Sequence, residues 1–567
     1  MKTATELKSL LQTIDRKSYP AYKDTRGSYR FPQYILTIDH VQGDPFASPS
    51  HVTLTVPGKT AGFPKEYYSE RHRRIALEDR LIRRFHRTAE KYSHEAKGSG
   101  KSGAIVTCAP GQEVIERSAC SIDENTGDIH YRLEIGFPAN GRTINSRELI
   151  KILYDFLPAS AADALIYRPQ IAKEIEKTIF LSDDQEYIRS SLKKLKLCAF
   201  IADGSVLPRL SGISQLPMKD AKAFKSPDSL KVRLELPHFG AIEGMGIGQG
   251  ITLIVGGGYH GKSTLLQALE RGVYNHIAGD GREYIATDDT AMKIRSEDGR
   301  SVRSVDISLF MHDLPDGRDT TSFSTLDASG STSQAANVME ALESGSKLLL
   351  IDEDTCATNF MIRDELMQKV IHEDAEPITP FIEYVGNMWK NSGISTILVA
   401  GSFGAFFHIA DSIIQMDRYA PKDITEKAKK EAEAYPLSIK LREEKIPVMK
   451  RFPRLSRTLD LRDRIKTKVL GRDGFSINHE TVELRYVEQI VDSGQSAALC
   501  RALLYCGRHF FDGKTTLTEA VDRLMELLQS EGLKLLCENS YLVTGLTLPR
   551  KQEILASLNR CRFLEIK

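Results

Sequence analysis

The chain has 567 residues, too many for one hydrophobic core, so about three domains are expected. Its composition is globular, 41% hydrophobic and 27% charged, and a net charge of +1 excludes a global field as the means of attracting a polyanion or an anionic membrane. No apolar run approaches the ~20 residues of a membrane span, and eight scattered cysteines without a CxxC pair read as reduced thiols in a cytoplasmic protein lacking structural zinc.

Taken in chain order, MKTATELKSLLQTIDRKSYP is an amphipathic helix pattern rather than a signal peptide. Short strands are expected at Tyr34–Ile38 and His51–Val56, then a helix over Ser69–Tyr92 with Leu77, Leu81 and Phe85 on one face and many arginines on the other. Strand-like pieces follow at Gly103–Cys108 and Ile129–Ile135, and helices at Ser146–Phe156 and Ser160–Phe180. Ala199–Gly212, with Pro208 and Gly212, reads as a loop closing this half. From Leu230–Leu236 onward, continuous apolar strands at Ile251–Val255, Lys347–Glu353, Ile394–Ala400 and Ser412–Met416 alternate with helical segments, which indicates a parallel sheet covered on both faces. Lys422–Ala434 is a charged helix leaving this sheet, a basic stretch begins near Lys445, and helices are expected at Val487–Cys506, Thr518–Ser530 and Pro549–Asn559. The expected domains are therefore 1–225, 226–425 and 426–567.

The stretch ITLIVGGGYHGKSTLL carries the most specific chemistry. Gly256, Gly257, Gly258, Tyr259, His260, Gly261, Lys262 and Ser263 fit G-x-x-x-x-G-K-[ST] between an apolar strand and a helix. Such a loop turns successive backbone N–H groups toward one anion, with the helix N-terminus at Ser263 and Thr264 behind it. ATP is the expected ligand, with Lys262 at the β- and γ-phosphates and the Ser263 hydroxyl on Mg²⁺. Gly98-Ser99-Gly100-Lys101-Ser102 repeats the final word, but Glu95 stands where the first glycine belongs, so it reads as a flexible basic loop.

The run Leu348–Ile351 ends in Asp352 and Glu353. A buried strand presenting an acid at its carboxyl end supplies the other half of a nucleoside-triphosphatase site: Asp352 for Mg²⁺ through a water, Glu353 to polarise the attacking water. Asp352-Glu353-Asp354-Thr355-Cys356-Ala357-Thr358-Asn359 resembles the D-E-P-T-S-A-L-D word of ABC ATPases. Ala328-Ser329-Gly330-Ser331-Thr332, placed at about the family's distance upstream, resembles its L-S-G-G-Q signature. The resemblance implies that Ser329, Gly330 and Ser331 contact ATP held by a second subunit, in a homodimer; on the residues alone, a Ser/Thr-rich linker with an ordinary helix cap remains open. The chain departs from the transporter pattern at Tyr259, lacks a clear Q-loop glutamine, and has Gly401 where the switch histidine would stand, so either another residue such as Ser402 senses the γ-phosphate or hydrolysis is slow.

These departures, with GMGI (Gly244–Ile247), VYNHIAGDGRE (Val273–Glu283), DTTSFSTLDASGSTSQAAN (Asp319–Asn337), IDEDTCATNFMIRD (Ile351–Asp364) and LNRCR (Leu558–Arg562), resemble the family described as predicted ATPases of the ABC class. The likeness covers most of the chain, including RGSYRFPQYILTIDHVQGDPFASPS (Arg26–Ser50). It implies a central ABC-type P-loop core between an α+β N-terminal domain and a mainly helical C-terminal domain. One member, a trypanosome mitochondrial ATPase associated with RNA editing, binds RNA, so RNA is carried over from a single relative.

Three basic regions offer a grip for phosphates: Lys445–Arg472 with Arg451, Arg454, Arg457, Arg462 and Arg464 beside Phe452; Arg71, Arg73, Arg74, Arg80, Arg83, Arg84 and Arg87; and Lys97–Lys101. Each reads equally well as a solvated face or a subunit contact. The expectation is a dimeric ATPase that couples MgATP hydrolysis to nucleic-acid binding, RNA before DNA; the alternative is a protein-remodelling or scaffold ATPase without a nucleic-acid ligand.

Overall fold

The computed structural model describes residues 1–364, 370, 376–437, 439–455, 465–538 and 540–566. Two compact units emerge: Met1–Asp183 with Glu531–Leu548, and Asp184–Ser530 with Pro549–Lys567.

In the first unit, strands Gly27–Arg30, Ile35–His40, Ser50–Val56 and Ile129–Ile135 form the middle of a seven-stranded sheet. Ser50–Val56 and Ile129–Ile135 alternate between buried and half-buried positions, so the sheet has one core face. Helix Ala4–Ile14 begins in a capping box between Thr3 and Glu6 and buries Leu7, Leu11 and Ile14. Helix Arg71–Glu90 buries Leu77, Leu81 and Phe85, as its periodicity predicts, and Phe85 stacks on Tyr131 with centroids 4.0 Å apart. The second expected helical pair is divided differently: the chain is helical through Leu157–Ala164, breaks, and restarts at Pro169 for a helix reaching Lys194. Proline suits a first helical turn, where its missing N–H has no partner to lose.

In the second unit, a four-stranded antiparallel sheet runs Lys231–Leu236, Gly240–Gly248, Leu197–Ala202, Ile285–Thr287. Leu197–Ala202 corrects the expected loop at that place; the turn comes after it, at Asp203-Gly204. A six-stranded sheet runs Met292–Ile294, Leu348–Asp352, Ser395–Val399, Ile251–Val255, Ser412–Asp417, Ala420–Asp423, parallel except for the last pair. Its inner strands are buried on both faces, which is why they read as unbroken apolar runs. Helices Lys262–Arg271, Gly330–Glu343 and Phe381–Ser392 belong to the same core, giving the mixed α/β architecture expected. Beyond it lie helices Ser493–His509, Leu517–Glu531 and Lys551–Asn559, with a three-stranded antiparallel sheet, Thr467–Val469, Gly474–Ile477, Glu480–Glu483. No helix among the described residues is long and apolar enough to cross a membrane.

Candidate functional site

Strand register assembles the site. Val399 pairs with Ile254 on one side and with Asp352 on the other. Three parallel strands therefore end at one level, and the residues that follow each end open onto a common edge: Gly256 after the first, Glu353 after the second, Gly401 and Ser402 after the third. This is the carboxyl edge of a parallel sheet, where ligands of open α/β sheets bind. The outer two strands lie about 10 Å apart at the usual interstrand spacing.

At the first strand end the loop turns sharply. Gly256 has φ +141°, and a Cβ there would collide with the Met416 carbonyl oxygen, so only glycine fits. Tyr259 occupies a left-handed conformation, φ 62°, at the tip of the loop with its ring almost wholly exposed. His260 fastens the loop to the next hairpin: the Tyr419 amide donates to its carbonyl at 3.2 Å and the Arg418 amide to its Nδ1 at 3.2 Å. Lys262 donates from Nζ to the carbonyls of Gly256 at 2.7 Å and Gly257 at 2.9 Å, so its charge already sits over the loop. Helix Lys262–Arg271 starts there, with Ser263 and Thr264 in its first turn and Gly258 in the loop before it.

At the second strand end Asp352 is buried and accepts from the Asp354 amide at 3.3 Å. Glu353 turns toward the third strand end: Oε2 accepts from the amides of Gly401 at 2.5 Å and Ser402 at 3.0 Å, and Oε1 accepts from the Ser402 hydroxyl. Burial pushes the neighbouring Cys356 thiol up to about 12, so it stays protonated and inert. Among the described residues no three His, Cys, Asp or Glu side chains converge as a closed metal site. The oxygens of Ser263 and Asp352 are hard donors of the kind Mg²⁺ takes while keeping several waters.

Ser329 caps helix Gly330–Glu343, its hydroxyl accepting from the Thr332 amide and meeting the Thr332 hydroxyl at 2.9 Å. Its hydrogen bonds are local, and none joins it to the glycine loop of its own chain. Gln334, one turn on, is wholly buried and accepts from the Ala357 amide at 2.8 Å, tying this helix to the loop after Glu353. Further along, Arg300 pairs with Glu340 at 2.6 Å, Arg451 donates to Glu343 at 3.1 Å, and Arg560 donates to Glu297 at 3.1 Å. Burial works against the Glu297 carboxylate, but Arg560 and Arg300 outweigh it and hold its pKa below the ordinary value. Sequence patterns alone did not reveal this clamp on the helix; LNRCR, which contributes Asn559 and Arg560, was its visible trace.

The same contacts correct the phosphate-gripping role expected of several arginines. Arg451 is buried, donating to Glu343, the Arg303 carbonyl and Asn559. On helix Arg71–Glu90, Arg71 pairs with Glu116, Arg73 with Asp183, Arg74 with Glu124, Arg80 and Arg84 with Glu174, and Arg83 with Asp79. That face neutralises its own unit; Arg87 remains exposed. In the loop of Lys97–Lys101, the Ser99 and Ser102 hydroxyls accept from Gly141 and Ala139 amides, which makes it part of the first unit's framework. Arg454, Lys466, Lys468 and Arg472 are exposed, whereas Arg457, Arg462 and Arg464 lie outside the described residues.

Residues 171–451 match the ABC ATPase P-loop domain, residues 4–168 the domain described as ATPase of the ABC class N-terminal, and residues 466–567 the MRB1590 C-terminal domain. The uncharacterized protein MJ1628 of Methanocaldococcus jannaschii is 30% identical over 254 residues, which cover 42% of this chain and 54% of that protein. The match thus spans about half of the relative's length. Among solved structures, CbiO1 of Clostridium perfringens, part of the ABC transporter complex CbiONQ, shares 15% identity over 42% of this chain and 93% of its own, with a TM-score of 0.28. A metal-chelate type ABC transporter in an inward-facing conformation shares 15% over 40% of this chain and 82% of its own, at 0.26. With domain matches running from residue 4 to residue 567, the chain belongs to the ABC-class P-loop ATPases.

Proposed function

We propose that the chain binds ATP with Mg²⁺ in the loop Gly256–Thr264 and hydrolyses it, and that hydrolysis requires two copies. The observation that carries this reading is the shared level of Ile254, Val399 and Asp352, which puts the glycine loop and Glu353 on one sheet edge. Backbone amides of the loop would surround the phosphates, and Lys262 would exchange its two carbonyl partners for phosphate oxygens. Ser263 and Asp352 would hold the metal, which supplies charge neutralisation on the phosphates. Glu353 would accept a hydrogen bond from the attacking water. Ser329, Gly330 and Ser331 would serve the nucleotide of a second copy, as the resemblance to ABC ATPases implies, with a hydroxyl and helix N-terminal amides suited to an anion.

Coupling of this cycle to nucleic acid, RNA in particular, rests on the exposed Lys466, Lys468 and Arg472 and on the resemblance to an RNA-binding relative. The decisive experiment is Mg²⁺-dependent ATP turnover alongside nucleotide binding. Glu353→Gln keeps shape and loses charge, so it should bind ATP and stop turnover by at least about a hundredfold. Lys262→Ala should weaken binding itself. Wild-type turnover in Glu353→Gln would refute the assigned chemistry.

A further inference from the structure

We propose that Ser402 is a positioning residue for hydrolysis, fixing the Glu353 carboxylate through its hydroxyl while the backbone amides of Gly401 and Ser402 hold the other oxygen. This rests on Glu353 being the group that orients water. A glutamate on a half-exposed turn samples several rotamers, and ordering it costs side-chain entropy. Glu353 is such a residue: it follows a strand end and its χ angles are set by nothing in its own turn. What fixes it comes from elsewhere in the chain. Gly401 N–H donates to Oε2 at 2.5 Å, Ser402 N–H donates to Oε2 at 3.0 Å, and Ser402 O–H donates to Oε1.

A carboxylate offers about four lone-pair sites. Three are filled here, which leaves one for a proton of water and defines its direction. The Ser402 hydroxyl does not serve its own turn, since it reaches a residue 49 positions away in sequence. The donors are also rigidly placed. They follow strand Ser395–Val399, and the next amide, Ala400 N–H, donates to Ile254 O at 2.9 Å on the strand that leads into the glycine loop. One backbone segment therefore fixes the carboxylate relative to the phosphate loop. A Cβ at Gly401 would lie 3.9 Å from Glu353 Oε2, so a side chain would fit there, and this chain uses backbone and Ser402 in its place.

Steady-state and single-turnover ATP hydrolysis test this with Ser402→Ala and Ser402→Thr in the full chain, each also combined with Glu353→Gln. Ser402→Ala removes one hydrogen bond to a charged group, so kcat should fall about ten- to a hundredfold. KM and direct nucleotide affinity should stay within about twofold, because the phosphates are held by the loop. Ser402→Thr keeps the hydroxyl and should restore most of the rate. Because Ser402 acts through Glu353, adding Ser402→Ala to Glu353→Gln should slow the residual reaction by less than about twofold. Wild-type kcat in Ser402→Ala overturns the inference, as does an equal fall in both backgrounds. A Ser402→Thr protein that folds and binds ATP but stays as slow as Ser402→Ala overturns it too. Full turnover in Glu353→Gln is a different failure, since it removes the assigned chemistry rather than the role of Ser402.

Discussion

Glu78 lies on the core face of helix Arg71–Glu90, and its Oε1 accepts from the Ile122 amide at 2.8 Å. Burial, helped by nearby Glu116 and opposed by the Ile122 amide, pushes its carboxyl from the ordinary 4.5 up to about 8. Between those values the folded chain holds a proton that the unfolded chain has released. Stability from this group is therefore complete at low pH and declines as pH rises from about 4.5 to 8, by up to about 1.4 kcal/mol per unit. Glu78→Gln should flatten that decline and raise the unfolding temperature relative to wild type more at pH 8 than at pH 5.5. An equal difference at both pH values would mean that Glu78 is ionised in the folded protein. Arg451 makes a second residue-scale case, because the sequence offered it to solvent and the fold buries it against Glu343. Arg451→Ala should cost about 3–5 kcal/mol, most of it from stranding a buried carboxylate. Arg451→Met with Glu343→Leu should recover much of that loss in denaturant midpoint, since a matched apolar pair leaves no charge behind.

Helix Gly330–Glu343 carries its function at one end and its anchorage along its length. Two roles of Ser329 can be separated there. Ser329→Asp retains a good N-cap and should change stability by less than about 0.5 kcal/mol. It would also aim a carboxylate at the γ-phosphate of a second copy, so hydrolysis should be lost while single copies still bind nucleotide. Intact hydrolysis in Ser329→Asp would sink the composite site. At this scale the sequence was uneven. The strands of the six-stranded sheet were legible because burial on both faces demands continuous apolar runs, and the glycine loop because no other residue fits at Gly256. Strand Gly240–Gly248 was not among the expected strands; its four glycines have low strand propensity. A Cβ at Gly244 would collide with Ile201 O, so the glycine there marks close strand packing. The arginines of helix Arg71–Glu90 looked like a polyanion site because their acids are remote in sequence, Arg73 meeting Asp183 across 110 positions and Arg74 meeting Glu124 across 50. Charge periodicity on a helix shows which face is polar and says nothing of what will neutralise it.

For the whole molecule, the composite-site reading requires association to depend on nucleotide. MgATP with Glu353→Gln should raise the dimer population in sedimentation velocity, and Ser329→Asp in the same chain should reverse it. Nucleic acid then enters as a linked ligand. With Arg451 and most of helix Arg71–Glu90 neutralised internally, the exposed cations that remain in the C-terminal basic stretch include Lys466, Lys468 and Arg472, around the strand Thr467–Val469. Mobile, solvated lysines grip phosphates as point charges and carry little base specificity. Replacing all three by Ala should weaken binding about equally for unrelated oligonucleotides. Every phosphate that the variant no longer neutralises should flatten the slope of log K against log salt by about 0.7 for a single strand. Reciprocity adds a stricter demand: an oligonucleotide that prefers the ATP-bound dimer must tighten ATP binding by the factor by which ATP tightens its own. Affinity for a fluorescent RNA, measured at several salt concentrations with and without MgATP in the Glu353→Gln background, reads both terms. An unchanged slope in the triple variant removes this strand from the interface. Equal affinity with and without ATP leaves nucleic-acid binding and hydrolysis as separate properties of one chain, whereas no binding at any salt concentration favours the protein-remodelling ATPase.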